Sequence, residues 1–136
     1  MCKKGDIIFV HHYKHKGVEL SGHPFVVLED NAGEIFGVSF DMICLVMSSF
    51  KDEAQMKRKL SYGGNFPVKA SDKTLRNFTN KDAFIKADQF YYFDRSNLDF
   101  SVIGSVDIDA WEALLTFIEG LAEKGLDILH ITDNLQ

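Results

Sequence analysis

The chain is poor in the residues that would tie it together covalently. Only two of its 136 residues are cysteine, Cys2 and Cys44, too few for a disulfide framework. Cys44 sits in an apolar run, where a reduced thiol packs as a small hydrophobe. Proline is equally scarce, with two copies, and no low-complexity linker or internal repeat interrupts the sequence. This predicts one domain over residues 1–136. Long apolar runs are missing too. The longest, Met42–Met47, is far too short to span a bilayer. No apolar segment follows the basic residues at the start, as a secretory signal requires. These absences predict a cytoplasmic protein with no membrane partner. Finally, basic residues nearly vanish from the last third. Residues 96–136 hold one, Lys124, against eight acidic residues, whereas residues 1–95 hold 14 against 12. The net charge of −5 therefore belongs to the C-terminal end, and the remainder is free to present a positive surface to an anion.

What is present is apolar and aromatic. Hydrophobic residues make up 46% of the chain and phenylalanine alone occurs 12 times, which predicts an aromatic-rich core. Short runs of β-formers predict strands at Asp6–Val10, Phe25–Leu28, Ile35–Phe40, Met42–Met47, Phe66–Ala70, Ala83–Ala87 and Gln89–Phe93, while Val102–Val106 reads either as an extension of the sheet or as the lead into the final helix. Residues 29–34 read as a turn, with Asn31 or Gly33 able to take positive φ, and Gly37 as a bulge or close backbone approach. Asp52–Leu60 carries good helix formers. Asp109-Ala-Trp-Glu112 reads as a capped helix start. From there Trp111, Leu114, Leu115, Ile118 and Leu121 share one helical face, up to a stop at Gly125. The pattern predicts an α+β fold: a bent antiparallel sheet or small barrel with a long C-terminal helix against it. Tyr91, Tyr92 and Phe93 read as packing residues, Asp94 and Arg95 as a turn with a surface ion pair.

The stretch HHYKHKGVELSGHP, residues 11–24, concentrates four of the five histidines beside Lys14 and Lys16. It reads as a loop between the first two strands. A metal site there is disfavoured: adjacent His11 and His12 on a strand point to opposite faces, and no cysteine or helical His pair stands by. No metal or other cofactor is expected. A polyanion site and a solvated loop with no function both stay open.

Four segments in order resemble the MazF/PemK (Kid) toxins of bacterial toxin–antitoxin systems. KKGDIIFV is similar to the family's opening strand, in which Gly-Asp follows a basic residue. GHPFVVLEDN is similar to its GxRPxLVIxND segment. MICLVMSS, with Lys51 just beyond, is similar to the strand that ends in Thr-Ser. DAFIKADQFYYFDRSNL and IGSVD are similar to the stretch that completes the sheet and leads to the last helix. The resemblance implies an SH3-like barrel, a homodimer, an antitoxin partner, and metal-independent cleavage of single-stranded RNA. By position it places the catalytic roles on His23, where the family has Arg, and on Ser48, where it has Thr. Under this resemblance His11, His12 and Tyr13 can stack on unpaired bases, Lys14, Lys16 and Lys51 can offset phosphate charge, and Ser49 joins the RNA-binding set. In such cleavage the RNA's own 2′-hydroxyl attacks the adjacent phosphate. The protein need only move protons and stabilise charge. Because an imidazole replaces a permanent cation, the alternative is a non-catalytic RNA- or protein-binding module on the same fold. A toxin directed at gyrase is a third reading.

Overall fold

Residues 2–135 are described by a computed structural model. Eleven strands and two α-helices follow in the order β1 (Asp6–His15), β2 (Val18–Glu29), β3 (Gly33–Ile35), β4 (Val38–Phe40), β5 (Met42–Ser49), α1 (Glu53–Leu60), β6 (Asn65–Val68), β7 (Lys73–Leu75), β8 (Ala83–Lys86), β9 (Gln89–Phe93), β10 (Phe100–Val106), α2 (Ile108–Glu119) and β11 (Leu129–Ile131). The main sheet runs β11-β9-β5-β2-β1-β10-β7, with β8 paired to β5 and β6, and β3 pairs β4 apart from it. All pairings are antiparallel except β11 with β9. This is a mostly antiparallel α+β fold. The end strands β11 and β7 do not pair with each other.

The continuous apolar runs have a simple cause: the central strands are buried on both faces. Neighbours such as Ile7 and Ile8, Val26 and Val27, and Leu45 and Val46 enter opposite core clusters. In the first cluster Phe25 is fully buried, and Tyr13, Tyr91 and Phe93 meet it edge-on at 5.0, 5.1 and 5.5 Å between ring centroids. Edge-to-face pairing suits the quadrupoles of the rings. Tyr92 is buried as well, and Cys44 is a buried free thiol, as the sequence predicts. The second cluster is covered by α2 through Leu114, with Trp111, Phe117 and Ile118 half-buried beside it.

Several boundaries differ from the sequence reading. Residues 11–24 are not a loop. β1 and β2 continue as one long hairpin, from Ile7 opposite Val26 to His15 opposite Val18. Its two-residue turn, Lys16-Gly17, has φ of 52° and 81°, the geometry of a type I′ hairpin. Phe36-Gly37 closes β3 and β4 in the same way, at 52° and 78°, so Gly37 marks a hairpin turn rather than a bulge. Helix α1 begins as expected: Asp52 accepts a hydrogen bond from the Gln55 amide at 2.7 Å. Helix α2 is shifted. Its N-cap is Asp107 and its C-cap Gly120, while Gly125 takes φ of 75° after a separate short turn. Leu115 stays 38% exposed. The acidic tail adds β11, whose Ile131 is buried against the first cluster. Arg95 makes no ion pair among the described residues. Its backbone amide donates to Asp41 and its Nε is buried without a partner.

Candidate functional site

Strands β2 and β5 pair with Phe25 opposite Val46. Two residues outward, the same register sets His23 opposite Ser48 on one face, where cross-strand side chains touch. Ser48 Oγ lies 3.4 Å from His23 Nε2. His23 Nδ1 lies 3.2 Å from the Pro24 carbonyl oxygen. A carbonyl can only accept, so Nδ1 carries the hydrogen and donates. In the neutral ring Nε2 is then a free lone pair that accepts from the Ser48 hydroxyl. Burial chiefly holds the His23 pKa below its ordinary 6.5; the Pro24 carbonyl opposes this and the Lys86 ammonium adds to it. At neutral pH the ring is a base, not a cation.

His23 lines a hollow of about 160 Å³ with Tyr13, His15, Leu20, Val46, Lys86, Gln89 and Tyr91. The hollow forms because β5 changes partner there. Its first half pairs with β9, Cys44 opposite Tyr91, and its second half with β8, Met47 opposite Ile85. Val46 lies between, and the short β8–β9 connection brings Lys86 and Gln89 to its edge. Burial chiefly lowers the Lys86 pKa from 10.5; nearby Lys59 adds to this and Asp88 opposes it. Tyr91 Oη lies 2.7 Å from His15 Nδ1. Its pKa is pushed up strongly by burial, then by Tyr13 and Asp133, so the phenol keeps its proton. Among the described residues no carboxylate lines the hollow.

The other candidates are dispersed. Tyr13 is a wall of the hollow, 6% exposed and packed on Phe25 and Tyr91; a ring so enclosed has no face to offer a base. Val10 and Tyr13 both enter the first core cluster although three residues apart. Their partners His23 and Leu20 are likewise three apart, and both line the hollow. The alternation therefore slips on both strands at once, around His11 and Gly22. Gly22 permits this, because a Cβ there would collide with the Phe9 ring. His11 ends beside Phe9 in a separate hollow with Arg76, Asn77 and Phe78, away from His23. His12 is exposed opposite Ser21. Lys14 and Lys16 are exposed at the hairpin tip, where the Lys14 amide donates to Asn134 at 2.7 Å. Ser49 pairs with Ala83 on the way out of β5. Lys51 borders a different recess with Asp52 and Glu53. Sequence reasoning missed Lys86, Gln89 and the His15–Tyr91 pair. Only the strand-to-strand turn at Ala87-Asp88 hinted that Lys86 and Gln89 would share an edge.

Among the described residues no group of three His, Cys, Asp or Glu side chains is placed to hold a metal ion, and no helix is long and apolar enough to cross a membrane. Comparison with models of known protein families finds no match, and a search of curated proteins finds none either.

Proposed function

We propose that the protein is a MazF/PemK-like endoribonuclease that cleaves single-stranded RNA without a metal ion. The observation that carries this reading is the approach of Ser48 Oγ to His23 Nε2 at the rim of a hollow that holds Lys86 and, among the described residues, no carboxylate. His23 Nε2 takes the proton of the RNA 2′-hydroxyl. The 2′-oxygen forms a bond to the neighbouring phosphorus, and the bond from phosphorus to the 5′-oxygen breaks. Lys86 offsets the charge that grows on the phosphate oxygens and returns a proton to the leaving 5′-oxygen. Ser48 releases its contact with Nε2, which frees that lone pair for the 2′-hydroxyl proton, and turns its hydroxyl toward a phosphate oxygen. The products are a 2′,3′-cyclic phosphate and a 5′-hydroxyl.

The same reading makes the bent sheet an SH3-like barrel with α2 as its long C-terminal helix. It also gives the protein a homodimeric state, a cytoplasmic location and an antitoxin protein as partner. The test is incubation of clean protein with varied single-stranded RNAs in EDTA, followed by analysis of the ends. Cyclic phosphate and 5′-hydroxyl ends are expected, and a His23→Ala variant that folds should not produce them. Intact RNA after incubation with wild-type protein overturns the reading.

One observation favours the non-catalytic alternative. A His opposite a Ser across two strands is an ordinary cross-strand hydrogen bond, and here it already engages the hydroxyl the chemistry needs. Salt-sensitive RNA binding without turnover would select that module.

A further inference from the structure

A second recess of about 340 Å³ adjoins the His23 hollow and shares Lys86 and Gln89 with it. Its other walls are Arg58, Lys59, Tyr62, Asn65 and Asp88. Three cations therefore face one carboxylate. Among the described residues none of Arg58, Lys59 and Lys86 has a carboxylate within ion-pair distance. Lys86 is half-buried nonetheless. Three cations gathered in a recess with a single carboxylate leave an excess of positive charge that raises the local potential for an anion.

Most of the negative groups at this corner are engaged. Arg58 and Lys59 lie in the last turn of α1, whose free carbonyls would otherwise repel an anion. Three of those carbonyls are occupied: Lys57 by the Ser61 amide at 3.1 Å, Arg58 by the Ser61 hydroxyl at 2.6 Å, and Lys59 by the Asn65 side-chain amide at 2.8 Å. Asp88 is 6% exposed; its Oδ1 is buried without a hydrogen-bond partner among the described residues, while its Oδ2 accepts the Tyr62 hydroxyl. That bond fixes the Tyr62 ring at the rim, 47% exposed. Gly64 leaves room for it, since a Cβ there would come within 2.6 Å of the ring and 2.7 Å of the carboxylate. The corner thus combines a held aromatic face with unpaired cations, the two elements with which proteins hold single strands.

We infer that the recess bordered by Arg58, Lys59, Tyr62 and Lys86 binds the nucleotides of a single RNA strand flanking the His23 hollow, with phosphates on the cations and a base stacked on Tyr62. The identity of the ligand rests on the ribonuclease reading; the geometry of the recess does not. The strand crosses from one recess to the other over Lys86 and Gln89.

The test uses a fluorescein-labelled 2′-O-methyl RNA of about ten nucleotides, which cannot be cut by 2′-hydroxyl attack, and reads anisotropy against salt. Arg58→Gln with Lys59→Gln should weaken binding and lower the salt slope by about 1.4, roughly 0.7 per lost phosphate contact. Tyr62→Ala should weaken it roughly tenfold, and Tyr62→Phe should restore most of that loss. Arg58 is exposed and Lys59 half-buried with its ammonium 6.0 Å from the Phe84 ring, so the melting midpoint of the double variant is measured beside its binding. Unchanged affinity and salt slope in the double variant, with unchanged binding in Tyr62→Ala, would overturn the inference. So would displacement of the RNA by polyglutamate as effectively as by unlabelled RNA. Binding that responds as described in a protein that cuts no RNA upholds the recess and removes the ribonuclease. Cleavage of long RNA that is indifferent to all three variants removes the recess and leaves the ribonuclease standing.

Discussion

His23 and Ser48 stand across from each other on β2 and β5, with Nε2 and Oγ 3.4 Å apart. Twenty-five residues of chain separate them, and the pairing register alone brings them together. Because Nδ1 is committed to the Pro24 carbonyl, only one nitrogen of the ring is open to chemistry.

On the proposed ribonuclease reading, this arrangement makes the pH dependence of cleavage specific. His23 must be neutral to accept a proton, and its pKa is lowered from 6.5 by burial. The rate should rise with pH along an acid limb whose midpoint lies below 6.5, then level off. Removing the base with His23→Ala should cost about 100- to 10,000-fold. A rate–pH profile settles it; an acid limb above 6.5 would contradict the assignment.

Lys86 should govern the other limb. It acts while protonated, and burial lowers its pKa from 10.5, so activity should fall with rising pH before 10.5 is reached. Lys86→Gln should reduce kcat by about 100- to 1,000-fold and abolish that alkaline limb. Single-turnover cleavage measured across pH distinguishes this from a loss of RNA affinity alone.

Ser48 can be probed by two substitutions with opposite expectations. Ser48→Thr keeps the hydroxyl and should retain most activity. Ser48→Ala removes both the contact to His23 and the donor to phosphate, and should lower kcat by about 10- to 1,000-fold. Equal activity in the two variants, read by the same end analysis, would show that the hydroxyl has no part in cleavage.

The same imidazole should shape stability. Its folded pKa lies below the unfolded value of 6.5, so the unfolded chain binds more protons between those two values. Stability contributed by the neutral ring is complete above 6.5 and is lost as pH falls from there through the folded pKa. Denaturant midpoints taken on descending from pH 7 should decline, and His23→Gln should flatten that part of the decline.

Strand β10 offers a test of the fold itself. At Gly104, opposite Leu75, a Cβ would overlap the Thr74 carbonyl, which is backbone and cannot turn aside. Gly104→Ala should separate β10 from β7 at a cost of about 1–3 kcal/mol, read as a lower denaturant midpoint.

Much of this was legible in the sequence where burial left a simple mark. The double-sided core wrote itself as the runs around Ile7, Val26 and Leu45. The helix formers of 52–60 announced α1, although the capping role of Asp52 showed only in the structure. The length of the β1–β2 hairpin was not legible: beyond Val10 the strand is half solvated, and His, Lys and Tyr there carry no two-residue apolar period. Asp107 and Asp109 are both N-cap residue types, and nothing local prefers the first, since Asp107 makes no side-chain capping bond and the two residues it adds expose Ile108. Lys86 was invisible for a different reason. A lysine at a strand end is unremarkable until tertiary pairing shows which recess it borders.

The change of partner along β5 carries a mechanical consequence. Val46 is a junction of three ladders, toward β2, β9 and β8, and a junction keeps its angles only while every arm pulls evenly. Slackening any arm, even by a substitution remote from the imidazole, should loosen the contact between ring and hydroxyl well before the protein melts. Catalytic competence would then be a finer gauge of the sheet's integrity than any melting curve.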